Sequence, residues 1–103
     1  MKTKVVNKRR DYYDVDISRS SRWGNPFSHM GNSYAAVIVD SREASIECYR
    51  KWLNGELIVE NWPYKPPSKT EIVTKLRGKI LGCYCKKKSC HGDILKEIAD
   101  ATT

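Results

Sequence analysis

The segment Ile80–Leu95 reads ILGCYCKKKSCHGDIL, and it constrains the fold more than any other part of the chain. An apolar run ends at Cys85, a lysine run follows, and an apolar pattern of helical period begins after Ser89. A strand that passes through a tight basic loop straight into a helix is the building unit of α/β proteins. In such proteins ligands bind at the carboxyl edge of the strands, against the amino end of the following helix. Three of the four cysteines and one of the two histidines fall within nine residues of this junction. The same segment that sets the fold class therefore also marks the candidate site.

The 103 residues make one domain, residues 1–103, with a thin core. The longest apolar stretch, Tyr34–Val39, is far too short to span a bilayer. Met1–Lys4 lacks the apolar segment of a secretory signal, so the chain is expected in the cytoplasm, away from membranes. Thiols stay reduced there, and the cysteine cluster reads as metal-binding, reactive or core thiols rather than a disulfide framework. Nineteen Lys and Arg against twelve acids give a formal charge of +7, which favours an anionic partner: nucleotide, phosphate or nucleic acid.

Lys4–Lys8 and Tyr12–Ser18 read as an N-terminal hairpin around Arg9-Arg10-Asp11. In the second arm Tyr13, Val15 and Ile17 alternate with Asp14, Asp16 and Ser18. A polar loop, Arg19–Ser33, carries breaks at Gly24, Pro26 and Gly31. Tyr34–Val39 reads as a short strand or an extended lead-in. Ser41 caps a helix to Leu53 that ends at Asn54-Gly55 and turns Ile46, Tyr49, Trp52 and Leu53 to the core. Leu57–Pro67 is a proline-broken connector. Ser68-Lys69-Thr70-Glu71 has the pattern of a capping box and opens a helix to Leu76, stopped by Gly78. Lys79–Cys85 is the central strand, and Ser89 caps a last helix that buries Ile94, Leu95 and Ile98. The expected architecture is a small single α/β domain with a short mixed sheet, an N-terminal hairpin and about three helices. The strands around Ile17 and Leu81 can pair in parallel because a helical crossover separates them, which brings the loops after Ser18 and Cys85 to one edge.

Three readings of the C-terminal cluster stand side by side. Cys83, Cys85, Cys90 and His91 are the ligand types of a Cys3His zinc site, although C-x-C and an adjacent Cys-His pair depart from the usual zinc-knuckle spacing. In the second reading a cysteine at a strand end, beside lysines and a helix N-terminus, is a thiolate of depressed pKa. Free N–H groups from Ser89 to Asp93 then hold an anion. The Cys85-to-Cys90 spacing resembles the phosphate loop of low-molecular-weight tyrosine phosphatases, but His91 stands where that family has arginine and no Asp-Pro follows. In the third reading the cysteines are packing residues, as Cys48 is on its amphipathic helix, and Asp93 complements the helix dipole.

The second dense segment is Arg19–Phe27. Arg19, Ser21, Arg22 and Trp23 suit a phosphate, a ribose and a base, with Asn25-Pro26 setting the turn. The alternative is a structural loop in which Trp23 and Phe27 plug the core. His29 and the lysine run 86–88 read as surface.

Taken together, Tyr12–Phe27, Glu43–Leu53 and Leu76–Leu95 resemble a domain family of unknown function frequent in bacteriophage and prophage genomes. The resemblance rests on Arg19-Ser20-Ser21-Arg22-Trp23-Gly24-Asn25-Pro26-Phe27, on Tyr49-Arg50-Lys51-Trp52-Leu53, and on Leu76-Arg77-Gly78-Lys79 running into Leu81-Gly82-Cys83-Tyr84-Cys85 and Cys90-His91-Gly92-Asp93. Ser20 stands where many relatives carry proline, and the Leu57–Pro67 connector is particular to this chain. The resemblance implies a phage setting, hence a host cytoplasm, and leaves the chemistry open.

The combined expectation is a cleft between the Arg19–Phe27 and Cys83–Asp93 loops for a nucleotide or a related phosphorylated or ribosylated small molecule. Arg19, Ser21, Arg22, Trp23, Asn25 and Ser89 are the binding candidates. Cys85, Cys90, His91 and Asp93 are the candidates for any catalytic step. The alternative is a zinc-binding basic protein, with Cys83, Cys85, Cys90 and His91 as ligands, that holds nucleic acid or a host protein. Tyr34–Val39 as an edge strand is compatible with a homodimer.

Overall fold

The computed structural model of the chain describes residues 2–30, 35–84 and 90–101. Its strands are β1 (Lys4–Asn7), β2 (Val15–Asp16), β3 (Phe27–Ser28), β4 (Val37–Ile38) and β5 (Ile80–Cys83). Its helices are α1 (Arg42–Leu53), α2 (Lys69–Leu76) and α3 (His91–Asp100). A small α/β domain with three helices is thus observed.

The hairpin is not. β5 lies between β1 and β2, pairing in parallel with both: Val5 sits opposite Leu81 on one side and Val15 opposite Leu81 on the other. The antiparallel pair that would have made the sheet mixed is therefore absent among the described strands. The reason lies at Gly82. A Cβ built there would be 2.6 Å from Tyr13 Cγ and 3.0 Å from Lys8 Cβ. The Lys8–Asp14 connection crosses the face of β5 at this point and needs the bare backbone of glycine. The chain then rejoins the sheet on the far side of β5, where Asp14 N–H donates to Ile80 O (2.7 Å) and Ile17 N–H to Gly82 O (2.9 Å).

Cap chemistry sets the helices where the sequence expects them. Ser41 Oγ accepts from Ala44 N (3.0 Å), and Gly55, at φ 81°, follows the α1 C-cap Asn54. Ser68 Oγ accepts from Glu71 N (3.1 Å) ahead of α2, and Gly78, at φ 77°, turns the chain into β5. α3 starts at His91 with Cys90 as its N-cap, and the Asp93 carboxylate accepts from Cys90 N–H (3.2 Å). Ser89, the expected cap, lies outside the described residues.

The core joins Ile17 and Leu81 from the sheet to Leu95, Tyr49, Trp52, Ile72 and Leu76 from the helices, all fully buried. The termini of the domain are tied at the opposite end from the cleft. Thr3 Oγ1 donates to Asp100 Oδ1 (2.6 Å) and accepts from Gly78 N (3.0 Å). Among the described residues no helix is long and apolar enough to cross a membrane.

β3 and β4 form a separate parallel pair, Phe27 opposite Val37. β3 falls inside the segment that the sequence presents as a polar loop. Its two residues are fully covered, and Ser45 Oγ of α1 donates to Phe27 O (2.8 Å). The pair therefore belongs to the α1 side of the molecule, facing the carboxyl edge of β2 and β5 across a gap.

Candidate functional site

That gap is a cavity of about 250 Å3. Ser18 and Arg19 enter it from the end of β2, and Cys83 and Tyr84 from the end of β5. Cys90 and His91 bring the N-terminus of α3, and Arg42, Ser45 and Ile46 the first turns of α1. Asn25, Ser28, His29 and Met30 close it from the β3 side. Two helix N-termini and two strand ends thus converge on one space, an arrangement that favours negative charge.

The Arg19–Phe27 wall is built on internal hydrogen bonds. Arg19 Nη1 donates to Asn25 O (3.0 Å) and Phe27 O (2.7 Å), wrapping the loop around its guanidinium. A Cβ on Gly24 would lie 1.9 Å from Arg19 O, so only glycine allows this closure. Asn25 Oδ1 accepts from Phe27 N (2.9 Å), while its Nδ2 donates to Ser45 Oγ (2.9 Å). Tyr49 Oη donates to Trp23 O (2.7 Å) from the same helix. Burial holds the Tyr49 phenol well above its ordinary pKa, so it remains a donor.

The opposite wall is neutral. His91 is buried, edge-on to the Tyr49 ring at 5.1 Å, and its Nε2 is bonded to Ile17 O. A carbonyl only accepts, so Nε2 carries the proton and Nδ1 keeps the lone pair. Burial, opposed by the Ile17 bond and reinforced by the Arg19 charge, lowers the His91 pKa to about 4. The ring is therefore uncharged at neutral pH. Beside it, Cys83 Sγ and Cys90 Sγ stand 3.3 Å apart, both buried. Contact with Cys83, and then burial, push the Cys90 thiol up from its ordinary value. Gly92 lets this helix end settle on the sheet, since a Cβ there would be 2.8 Å from Ile17 Cδ1 and 2.9 Å from Val5 Cγ1.

Several sequence expectations change against this geometry. In the thiolate reading the nucleophile is Cys85 or Cys90; Cys90 is a buried thiol whose pKa moves up, because a second sulfur and burial penalise the anion. His91 was expected to handle protons; its Nε2–H is committed to a backbone carbonyl. Asp93 holds the start of α3 through Cys90 N–H and lines a second cavity with Glu43, Arg50 and Glu97 instead of the first. Of the two readings of Trp23, stacking on a base or plugging the core with Phe27, the structure has the second. Arg22 was expected at the anion; its guanidinium donates to Lys65 O (2.6 Å) and Glu71 Oε1 (3.3 Å) and lies 5.8 Å from the Tyr64 ring centroid. Ser21 Oγ closes its own turn onto Ser18 O (2.7 Å). Cys85 and Ser89 lie outside the described residues. The proposed zinc ligands Cys83, Cys90 and His91 are all described, yet among the described residues no group of three His, Cys, Asp or Glu side chains could hold a metal.

The cleft also holds residues that the motifs do not mark, among them Ile46, which the sequence assigns to the core. His29, read as surface, is half-buried on the β3 side. Arg42, Ser45 and Ile46 share one face of α1 by their i, i+3, i+4 spacing. That spacing was visible, and what concealed it was the competing core stripe of Tyr49 and Trp52. Tyr84, just past β5, was readable as the first residue beyond a strand end.

The architecture defines a small domain with a cleft of mixed polar and apolar lining at a parallel sheet edge, and the sequence comparison assigns the domain. Residues 2–101 match the model of a domain of unknown function, DUF4326, and the chain belongs to that family. It is 36% identical over 102 residues to the "Uncharacterized 12.4 kDa protein in nrdA-td intergenic region" of Enterobacteria phage T4. That match covers 94% of this chain and 77% of the phage protein. The phage-type family inferred from the motifs is thereby borne out. No solved structure matches the chain.

Proposed function

We propose that the cleft binds a nucleotide or a related phosphorylated or ribosylated small molecule, and that the protein acts by holding it. The observation that carries this reading is the convergence of Arg19, Arg42 and His29 with two helix N-termini around one cavity at the carboxyl edge of β2 and β5. Arg42 leads α1 into the cavity and supplies the charge for a phosphate group. Ser18 supplies a hydroxyl suited to a ribose. Ile46, Met30 and Tyr84 supply apolar surface for a base. At about 250 Å3 the space suits one nucleoside-sized group with its charged end toward solvent.

Holding without turnover is favoured by the state of the described cysteines. A thiol that is buried and pushed up in pKa is a poor nucleophile, and a His91 whose pKa burial lowers to about 4 is a poor base for it. The test is isothermal titration of the four ribonucleoside monophosphates into wild-type protein and the Arg42→Ala and Cys90→Ser variants. The reading expects binding that Arg42→Ala weakens about tenfold and Cys90→Ser leaves within about twofold. Equal affinity of wild type and Arg42→Ala, or no heat with any of the four, contradicts it.

A further inference from the structure

The basic turn between β1 and β2 adjoins the cleft through Tyr84. Tyr84 lines the cavity and is 51% exposed, so it stands at the mouth. Arg9 Cζ lies 4.8 Å from its ring centroid and Lys8 Nζ 4.7 Å. Asn7 holds this turn: its side-chain oxygen accepts from Arg9 N (2.9 Å) and its carbonyl from Arg10 N (3.0 Å) and Asp11 N (3.0 Å). Lys8 is neutralised by Asp16 at 2.6 Å. Among the described residues, neither Arg9 nor Arg10 takes part in an ion pair, and both are exposed. In the same turn Tyr12 is 75% exposed, with its hydroxyl donating to Asp14 Oδ1 at 2.9 Å. An exposed aromatic ring in one turn with two exposed arginines that take part in no ion pair among the described residues has the chemistry of a stacking platform on a phosphate track.

We infer that the ligand of the cleft is the terminal nucleotide of a single-stranded nucleic acid, whose following phosphates cross Tyr84 onto Arg9 and Arg10. The inference rests on the nucleotide reading of the cleft and names its substrate class. A cavity of about 250 Å3 admits one nucleotide unit and excludes a duplex end. A free mononucleotide would leave the exposed arginines and Tyr12 unused. The net charge of +7 matches a polyanion better than a single phosphate.

The test is fluorescence anisotropy with a terminally phosphorylated oligothymidylate, run beside the monophosphate titrations. An Arg9→Ala/Arg10→Ala variant is compared with Lys51→Ala/Lys75→Ala, which removes the same charge from the last turns of α1 and α2. The expected result is tighter binding of the oligomer than of thymidine monophosphate. Arg9→Ala/Arg10→Ala should weaken the oligomer about tenfold and lower its salt slope by about two, leaving the monophosphate within about twofold. The inference is overturned if the oligomer binds no tighter than the monophosphate, or if both double variants weaken it equally. In either case monophosphate binding that still depends on Arg42 leaves the cleft reading intact. If the oligomer depends on Arg9 and Arg10 while no monophosphate binds and Arg42→Ala changes nothing, the cleft reading fails and the terminal-nucleotide inference fails with it.

Discussion

On one side of the cleft the Arg19–Phe27 loop satisfies its polar groups internally, with Arg19, Asn25 and Ser45 bonded to the loop's own backbone and to each other. On the other side the β5–α3 junction offers two buried thiols and a neutral imidazole. The first wall carries charge that also holds structure, and the second carries groups suited to chemistry that burial has quieted. The difference teaches where recognition and rigidity reside. Most residues of the two dense motifs make the walls fit, as Gly24, Trp23, Asn25, Gly82 and Gly92 do. Other parts of the cleft lining come from Ser28, His29 and Arg42, which lie outside the motifs, and from Tyr84, between Cys83 and Cys85 in the second.

Removing backbone clearance on each side breaks the comparison most forcefully. Gly24→Ala puts a Cβ 1.9 Å from a backbone oxygen that cannot yield, so we expect loss of the folded state or at least about 4 kcal/mol in urea unfolding. Gly92→Ala meets the ends of Ile17 and Val5 side chains, which can shift, and should cost about 1–3 kcal/mol. Equal losses at the two positions would mean that the walls are equally rigid.

The next effect belongs to the imidazole. His91 has a folded pKa of about 4 against an ordinary 6.5, so between those values the unfolded chain binds the extra proton. Its contribution is fully present above pH 6.5 and is lost as the pH falls toward 4, by an amount on the order of 3 kcal/mol. Urea melts across that window should show the decline, and His91→Gln should flatten it. A wild-type curve that is flat over this window would show His91 to be solvated.

Within the first wall, Asn25→Ala removes an acceptor for Phe27 N and a donor to Ser45, both buried, and should cost about 1–3 kcal/mol by thermal melting. At the far edge of α3, Glu97→Ala breaks a partly exposed pair with Arg50 (2.7 Å) and should cost less than about 1 kcal/mol. If the surface pair cost as much as the buried amide, the polar interior of the loop would not be what holds this wall.

Local chemistry was legible in the sequence. Ser41, Ser68, Gly55 and Gly78 bound helices where their cap preferences demand, and the β5–α3 unit was readable from periodicity alone. The parallel pairing of the Ile17 and Leu81 strands was legible too, because the intervening helices allow no other short route. The false hairpin arose because adjacent strands usually pair with each other. Here the preference yields to a crossing that only Gly82 makes room for, and a lone glycine in a strand does not say what passes over it. The position of the cleft was readable from the convergence of strand ends and helix starts. The orientation of Trp23 and Arg22 was not, since an aromatic and an arginine in a loop suit a ligand and a core rim equally well. Here Tyr64 and Glu71, distant in sequence, draw Arg22 to the rim.

The most direct measurement is a two-dimensional amide NMR titration of the protein with each ribonucleoside monophosphate. The account predicts saturable shifts at Ser18, Arg19, Ser28, Arg42, Ser45 and His91, with Ile58 and Trp62 of a separate groove unmoved. Absence of shifts with all four nucleotides, or shifts centred on the Ile58–Trp62 groove, would contradict it.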